Sequence, residues 1–94
     1  MKTFLVERDV GATPLADLAN VSDASLRAVA QMWDEGDRIR DLGSTYLPEA
    51  GLCLCLFEAR NAEVVAAHGK SAHLPVRRIV DAVAFGREPS SVRS

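Results

Sequence analysis

One run constrains this chain more than any other: Leu52-Cys53-Leu54-Cys55-Leu56-Phe57-Glu58, in which almost every side chain is apolar. Turn residues Pro48-Glu49-Ala50-Gly51 precede it and the polar pair Arg60-Asn61 follows, so its length fits a strand and not a helix. Side chains alternate across a strand, which sends Leu52, Leu54 and Leu56 to one side of the sheet and Cys53, Cys55 and Phe57 to the other. Neither side is made for water. The run therefore predicts a central strand.

The elements around it follow from local pattern. Lys2 to Arg8 reads as a first strand, with Phe4 and Val6 on one side and Leu5 and Glu7 on the other. Val10 to Val21 carries turn residues and a brief apolar spacing, which predicts a surface segment with one helical turn anchored by Leu15 and Leu18. A long helix is expected from about Asp23 to Leu42, capped by Ser22 or Asp23. Leu26, Val29, Ala30 and Trp33 would form its inward stripe, and Gly43 its left-handed stop. Ser44 to Leu47 is expected as a short strand joined in a hairpin to the central one. Asn61 is placed to cap a second helix reaching Ser71, in which Val64, Val65 and His68 share one face. After His73-Leu74-Pro75, Arg78 to Phe85 reads as the last strand, with Ile79, Val83 and Phe85 on one side and Val80, Ala82 and Ala84 on the other.

This order of elements, βαββαβ, is the ferredoxin-like α+β pattern: a four-stranded antiparallel sheet, ordered 4-1-3-2, with two helices on one face. Two helices cover only that face. The other carries the outward set of the Leu/Cys strand with its apolar neighbours from the first and last strands, and it needs a partner. A second copy of the chain is the simplest one, so a homodimer is expected.

Composition narrows the function. At 94 residues the chain makes one domain, here residues 1–86 followed by a polar C-terminal tail at 87–94. Hydrophobic residues at 48% and charged residues at 26% are ordinary for a globular chain and argue against disorder. A net charge of -2 without a clustered basic stripe removes the electrostatic basis for binding nucleic acid or an anionic membrane. Charge interrupts the N-terminus before a secretion signal's apolar core could form, so a cytoplasmic location is expected.

No nucleophile motif, phosphate loop, dinucleotide fingerprint or H-E-x-x-H occurs. What remains is a scattered polar set on strands and a helix: Glu7, Tyr46, Cys55, Glu58 and His68, with His73 in a loop. Cys53 and Cys55 share a strand face at a separation that does not suit a relaxed disulfide, and their simplest role is packing. His68 is directed inward, where an imidazole is either a hydrogen-bonded core group or a ligand. Glu7 and Glu58 end strands, where carboxylates are usually solvated, although such a pair with an imidazole suits a borderline divalent ion.

Val6-Glu7-Arg8, Ser44-Thr45-Tyr46-Leu47, Cys55-Leu56-Phe57-Glu58-Ala59, and Glu63 through His68 followed by Leu74-Pro75 resemble the small nickel-binding, ferredoxin-like family long classed as a domain of unknown function. The resemblance runs from Lys2 to Phe85. It implies a dimeric α+β fold that holds nickel or another divalent metal through histidine and acidic groups, here His68, Glu7 and Glu58. Members often read His-Ser-Tyr where this chain has Ser44-Thr45-Tyr46, so an imidazole is replaced by a hydroxyl. The expected function is a small dimeric metal-binding protein. The alternative is a dimer that binds or transforms an organic molecule between helices and sheet, with Tyr46, Cys55 and His73 as ligand-binding candidates and His68 with Tyr46 moving a proton.

Overall fold

The computed structural model describes residues 1–83 and 85. Six elements follow in the order β1 (Lys2–Asp9), α1 (Leu15–Asp34), β2 (Ile39–Leu47), β3 (Leu52–Ala59), α2 (Ala62–Ala72) and β4 (Arg78–Ala82). The sheet runs β2-β3-β1-β4 with every neighbouring pair antiparallel, and both helices pack on one face. This is the ferredoxin-like arrangement, and β3 is central as its sequence requires. Cys53, Cys55, Phe57 and Ala59 are buried beneath the helices, while Leu52, Leu54, Leu56 and Glu58 stand half-buried on the open face.

Register puts the rest of each face in place. Val6 lies opposite Cys55 and Phe4 opposite Phe57, so β1 sends Phe4, Val6 and Arg8 under the helices. Leu5 pairs with Leu56 and with Val80, and all three join the open face. The core consists of Phe4, Val6, Met32, Ile39, Cys53, Cys55, Phe57, Ala59, Val64 and Val65. Burying a Val or Phe side chain contributes roughly 1.5–3 kcal/mol, which makes this cluster the main favourable term for the helix layer.

The first helix departs most from expectation. It starts at Leu15, eight residues before Asp23, and no side chain caps it. Pro14 stands at its N-cap, with a φ of -59° that leads into a helix, and the Asp17 amide donates to the Pro14 carbonyl. Ser22 and Asp23 therefore sit mid-helix. Its inward residues are Ser25, Ala28 and Met32, with Leu18 and Val21 continuing the stripe. Leu26 and Trp33, expected inside, are 53% and 45% exposed. Serine at the centre of the true stripe disguised it, and the wrong face looked more apolar.

The helix ends at Gly36, not Gly43. Gly36 has a φ of 94°, its amide donates to the Trp33 carbonyl, and the Asp37 amide reaches back to Met32. That pair of bonds is a Schellman stop. Because the chain turns here, β2 begins at Ile39 and is more than twice the length expected. Trp33 closes this corner: its indole Nε1 donates to the Ile39 carbonyl at 2.7 Å, and the Arg38 guanidinium lies 5.2 Å above its ring. Gly43, with a φ of 117°, marks the irregularity in the β2–β3 pairing.

The second helix matches its signals. The Asn61 side chain accepts from the Val64 amide, and Val64, Val65 and His68 are all buried. The last strand is shorter than expected and stops at Ala82. Val83 and Phe85, expected on a strand face, are exposed at 83% and 87%. Ala84, the domain boundary at 86 and the tail at 87–94 lie outside the described residues.

Candidate functional site

The helix layer does not close completely over the sheet. Between the first half of α1 and strands β2, β3 and β1 lies a cavity of about 250 Å³. Leu18, Val21, Ser22 and Ser25 of α1 line one side, and Arg8, Asp41, Ser44, Tyr46, Cys53 and Cys55 of the sheet line the other, with Leu74 at one end. The bend at Gly43 belongs to the same wall.

Arg8 follows from the parity of β1. The alternation that buries Phe4 and Val6 also buries the next residue of that face, and Arg8 is 1% exposed. Its Nη1 donates to the Pro75 carbonyl at 3.0 Å, while its Nε and Nη2 are buried without a partner among the described residues. The guanidinium lies 5.9 Å from the centre of the Phe57 ring. Leaving a buried donor unmatched costs about 1–3 kcal/mol, and more on a charged group. Among the described residues no carboxylate forms an ion pair with it.

Asp41 is the nearest acid on the cavity wall, but its oxygens are engaged. Oδ2 accepts from the Ser25 hydroxyl at 2.6 Å and Oδ1 from the Gly43 amide at 2.9 Å. Ser25 in turn touches His68, whose Nε2 lies 3.0 Å from the Ser25 carbonyl and 3.3 Å from its hydroxyl. A carbonyl only accepts, so Nε2 carries the proton and donates, and the ring is the neutral tautomer with Nδ1 bare. His68 is fully buried, 4.6 Å from the Phe57 ring between centroids. Burial, first, holds its pKa below the ordinary 6.5; the Ser25 carbonyl opposes that, and the positive charge of Arg8 adds to it. Asp41, Ser25 and His68 thus form a chain of contacts. With the serine proton directed to Asp41 and Nε2 already protonated, Ser25 and His68 are not a nucleophile–base pair.

The two thiols lie 3.7 Å apart on the cavity floor. Burial, then the neighbouring Cys55 sulfur, pushes the Cys53 pKa up to about 11, so this thiol stays protonated at neutral pH. Tyr46 stands opposite Cys53 in the sheet, and its hydroxyl donates to the Gly11 carbonyl and accepts from the Thr13 amide. Those bonds tie the segment before α1 to the sheet edge, and they occupy the group that a proton-transfer role would need.

Of the residues singled out in the sequence, Tyr46 and Cys55 share the cavity, and His68 joins it through Ser25. Glu7 and Glu58 do not. Both stand on the open face, with Glu7 bound to Arg78 at 2.8 Å and Glu58 to Arg40 at 3.1 Å, and the sheet separates them from His68. His73 is exposed at the end of α2. Arg8, Ser25 and Asp41 were missed. The parity of Phe4, Val6 and Arg8 was a usable signal for the first, whereas the other two were hidden by the misplaced helix.

Fold and cavity together define a small ferredoxin-like α+β protein with a pocket of mixed apolar and polar lining between helix and sheet. Residues 4–81 match the family described as nickel responsive protein SCO4226-like, and the chain belongs to that family. The crystal structure of SCO4226 from Streptomyces coelicolor A3(2) has the same fold, with a TM-score of 0.75 at 18% identity, covering 89% of this chain and 99% of that one. No curated protein matches the sequence. Among the described residues, no three His, Cys, Asp or Glu side chains come together as a metal-binding group. The bare Nδ1 of His68 is one good nitrogen donor, but the cavity beside it holds a guanidinium and a protonated thiol, a poor setting for a divalent cation. Among the described residues, a single chain thus offers no donor set that fits a nickel ion.

Proposed function

We propose that this protein is a homodimeric binding protein that takes a small organic molecule in the cavity beneath α1. The cavity itself carries the reading: about 250 Å³ of space between helix and sheet, walled by apolar groups and by hydroxyl, thiol, carboxylate and guanidinium groups. The open face of the sheet supports the dimer. Leu5, Leu52, Leu54, Leu56 and Val80 are only half-buried there, and the ion pairs Glu7–Arg78 and Glu58–Arg40 flank them. A cytoplasmic setting suits the two free thiols. Among the described residues no helix is long and apolar enough to cross a membrane.

The test is a protein-detected NMR screen of small neutral and charged organic compounds. Binders should shift the amides of Ser25, Asp41, Cys53 and Cys55, and Ser44→Trp, which fills the cavity mouth, should abolish the shifts. Nickel is the second reading, favoured by the family's description and by the bare Nδ1 of His68. Calorimetry separates the two. Stoichiometric nickel uptake by the wild type, lost in His68→Ala, together with an empty organic screen, would overturn the small-molecule reading.

A further inference from the structure

The geometry points to a ligand class: we infer that the cavity is a carboxylate site, in which Nε and Nη2 of Arg8 receive the two oxygens of a small monocarboxylic acid. The inference rests on the reading that the cavity takes a small organic molecule, and it adds the chemistry that selects it. Arg8 is 1% exposed and forms part of the cavity wall. Among the described residues only its Nη1 is engaged, by the Pro75 carbonyl, and that bond helps to fix the guanidinium plane. The two donors left over, Nε and Nη2, have no partner among the described residues. They are adjacent and coplanar, with parallel N–H vectors at the spacing of the two oxygens of a carboxylate.

The surrounding charges favour one negative charge over two. Asp41 shares the wall, and its oxygens are turned to Ser25 and to the Gly43 amide, so it does not neutralise Arg8 by direct pairing. It still repels a second negative charge brought into the same space, which disfavours a phosphate dianion. Leu18, Val21 and Leu74 offer an apolar wall for a hydrocarbon tail, and a volume of about 250 Å³ limits that tail to a short chain or a single ring. The protonated Cys53 thiol adds no opposing charge.

Matched probes test this on the wild-type protein: butyrate and benzoate against their neutral amides, butyramide and benzamide, with inorganic phosphate as the competing anion. Binding is followed by amide shifts at Ser25, Asp41, Cys53 and Cys55. The acids are expected to bind at least tenfold more tightly than their amides and more tightly than phosphate, and Arg8→Met, checked for folding by circular dichroism, should erase the preference. Equal binding of acids and amides would overturn the carboxylate assignment while leaving a small-molecule cavity. Tighter binding of phosphate, or a preference that persists in a folded Arg8→Met, would overturn it as well. If neither acids nor amides shift these amides, the cavity reading falls with it.

Discussion

Two histidines of this chain, alike in sequence, meet opposite fates. His68 is sealed in the core as the neutral ring, while the unfolded chain exposes it with an ordinary pKa near 6.5. The folded value is the lower one, so the unfolded state gains the proton first as pH falls. The stabilising contribution of the neutral ring is complete above pH 6.5 and is lost as pH drops below it towards the folded pKa. Urea denaturation should therefore show stability falling below that pH, and His68→Gln should flatten this part of the profile. His73 has instead a left-handed backbone, with a φ of 57°, as the residue that ends α2. Its amide donates to Lys70 and the next one, of Leu74, to Gly69, which is a Schellman stop built without glycine. A side chain costs about 1 kcal/mol in that conformation, so His73→Gly should raise the unfolding free energy by about that amount. Cys53, protonated and buried, is expected to resist iodoacetamide at pH 7.5 in the native state and to react fully in urea, as read by mass spectrometry.

At the scale of elements, the contact between α2 and the segment 73–77 decides how the cavity wall is held. Gly69 faces that segment so closely that a Cβ there would lie 2.6 Å from a methyl carbon of Val76 and 3.7 Å from Nη1 of Arg8. The space lets Pro75 come within reach of Arg8. In an open helix, Gly to Ala would stabilise by about 1 kcal/mol, but overpacking costs about 1–3 kcal/mol. The methyl clash wins, because Val76 is β-branched and tied to its backbone. Gly69→Ala is expected to destabilise by about 1 kcal/mol and to loosen the Arg8–Pro75 contact, visible as a changed Val76 amide shift. The hairpin of β2 and β3 shows a similar closeness: Gly51, with a φ of 64°, accepts the amides of Val10 and Gly11 on its carbonyl and so ties the end of β1 to the turn.

At the scale of the molecule, the sheet has one dressed face and one bare face. The helices cover Phe4, Val6, Cys53, Cys55 and Phe57, and Leu5, Leu52, Leu54, Leu56 and Val80 wait on the other side. An apolar sheet face left in water is an aggregation hazard, which a two-fold copy of the same face removes. Light scattering should report twice the chain mass of 10.1 kDa. Leu54→Glu, placing a carboxylate at the centre of that face, should give a folded monomer. A wild-type monomer would show that the face is covered in some other way.

The sequence alone determined the central strand, the face each of its residues takes, the second helix with its Asn61 cap, and the βαββαβ order. Each of these rests on strong local signals: an unbroken apolar run of strand length, a capping residue, and turn residues at the right spacing. The bounds of α1 were not legible, because its inward stripe includes Ser25, whose burial makes sense only once Asp41 and His68 stand beside it. The site was less legible still. That His68 and the pair Glu7 and Glu58 lie on opposite sides of the sheet follows from which face the helices cover, a choice made by the packing of the whole layer. Alternation along β1 placed Arg8 with Phe4 and Val6, but only the tertiary structure decided that two of its donors would be enclosed without partners. A side chain's parity is local, whereas what meets it is set by elements distant in the chain.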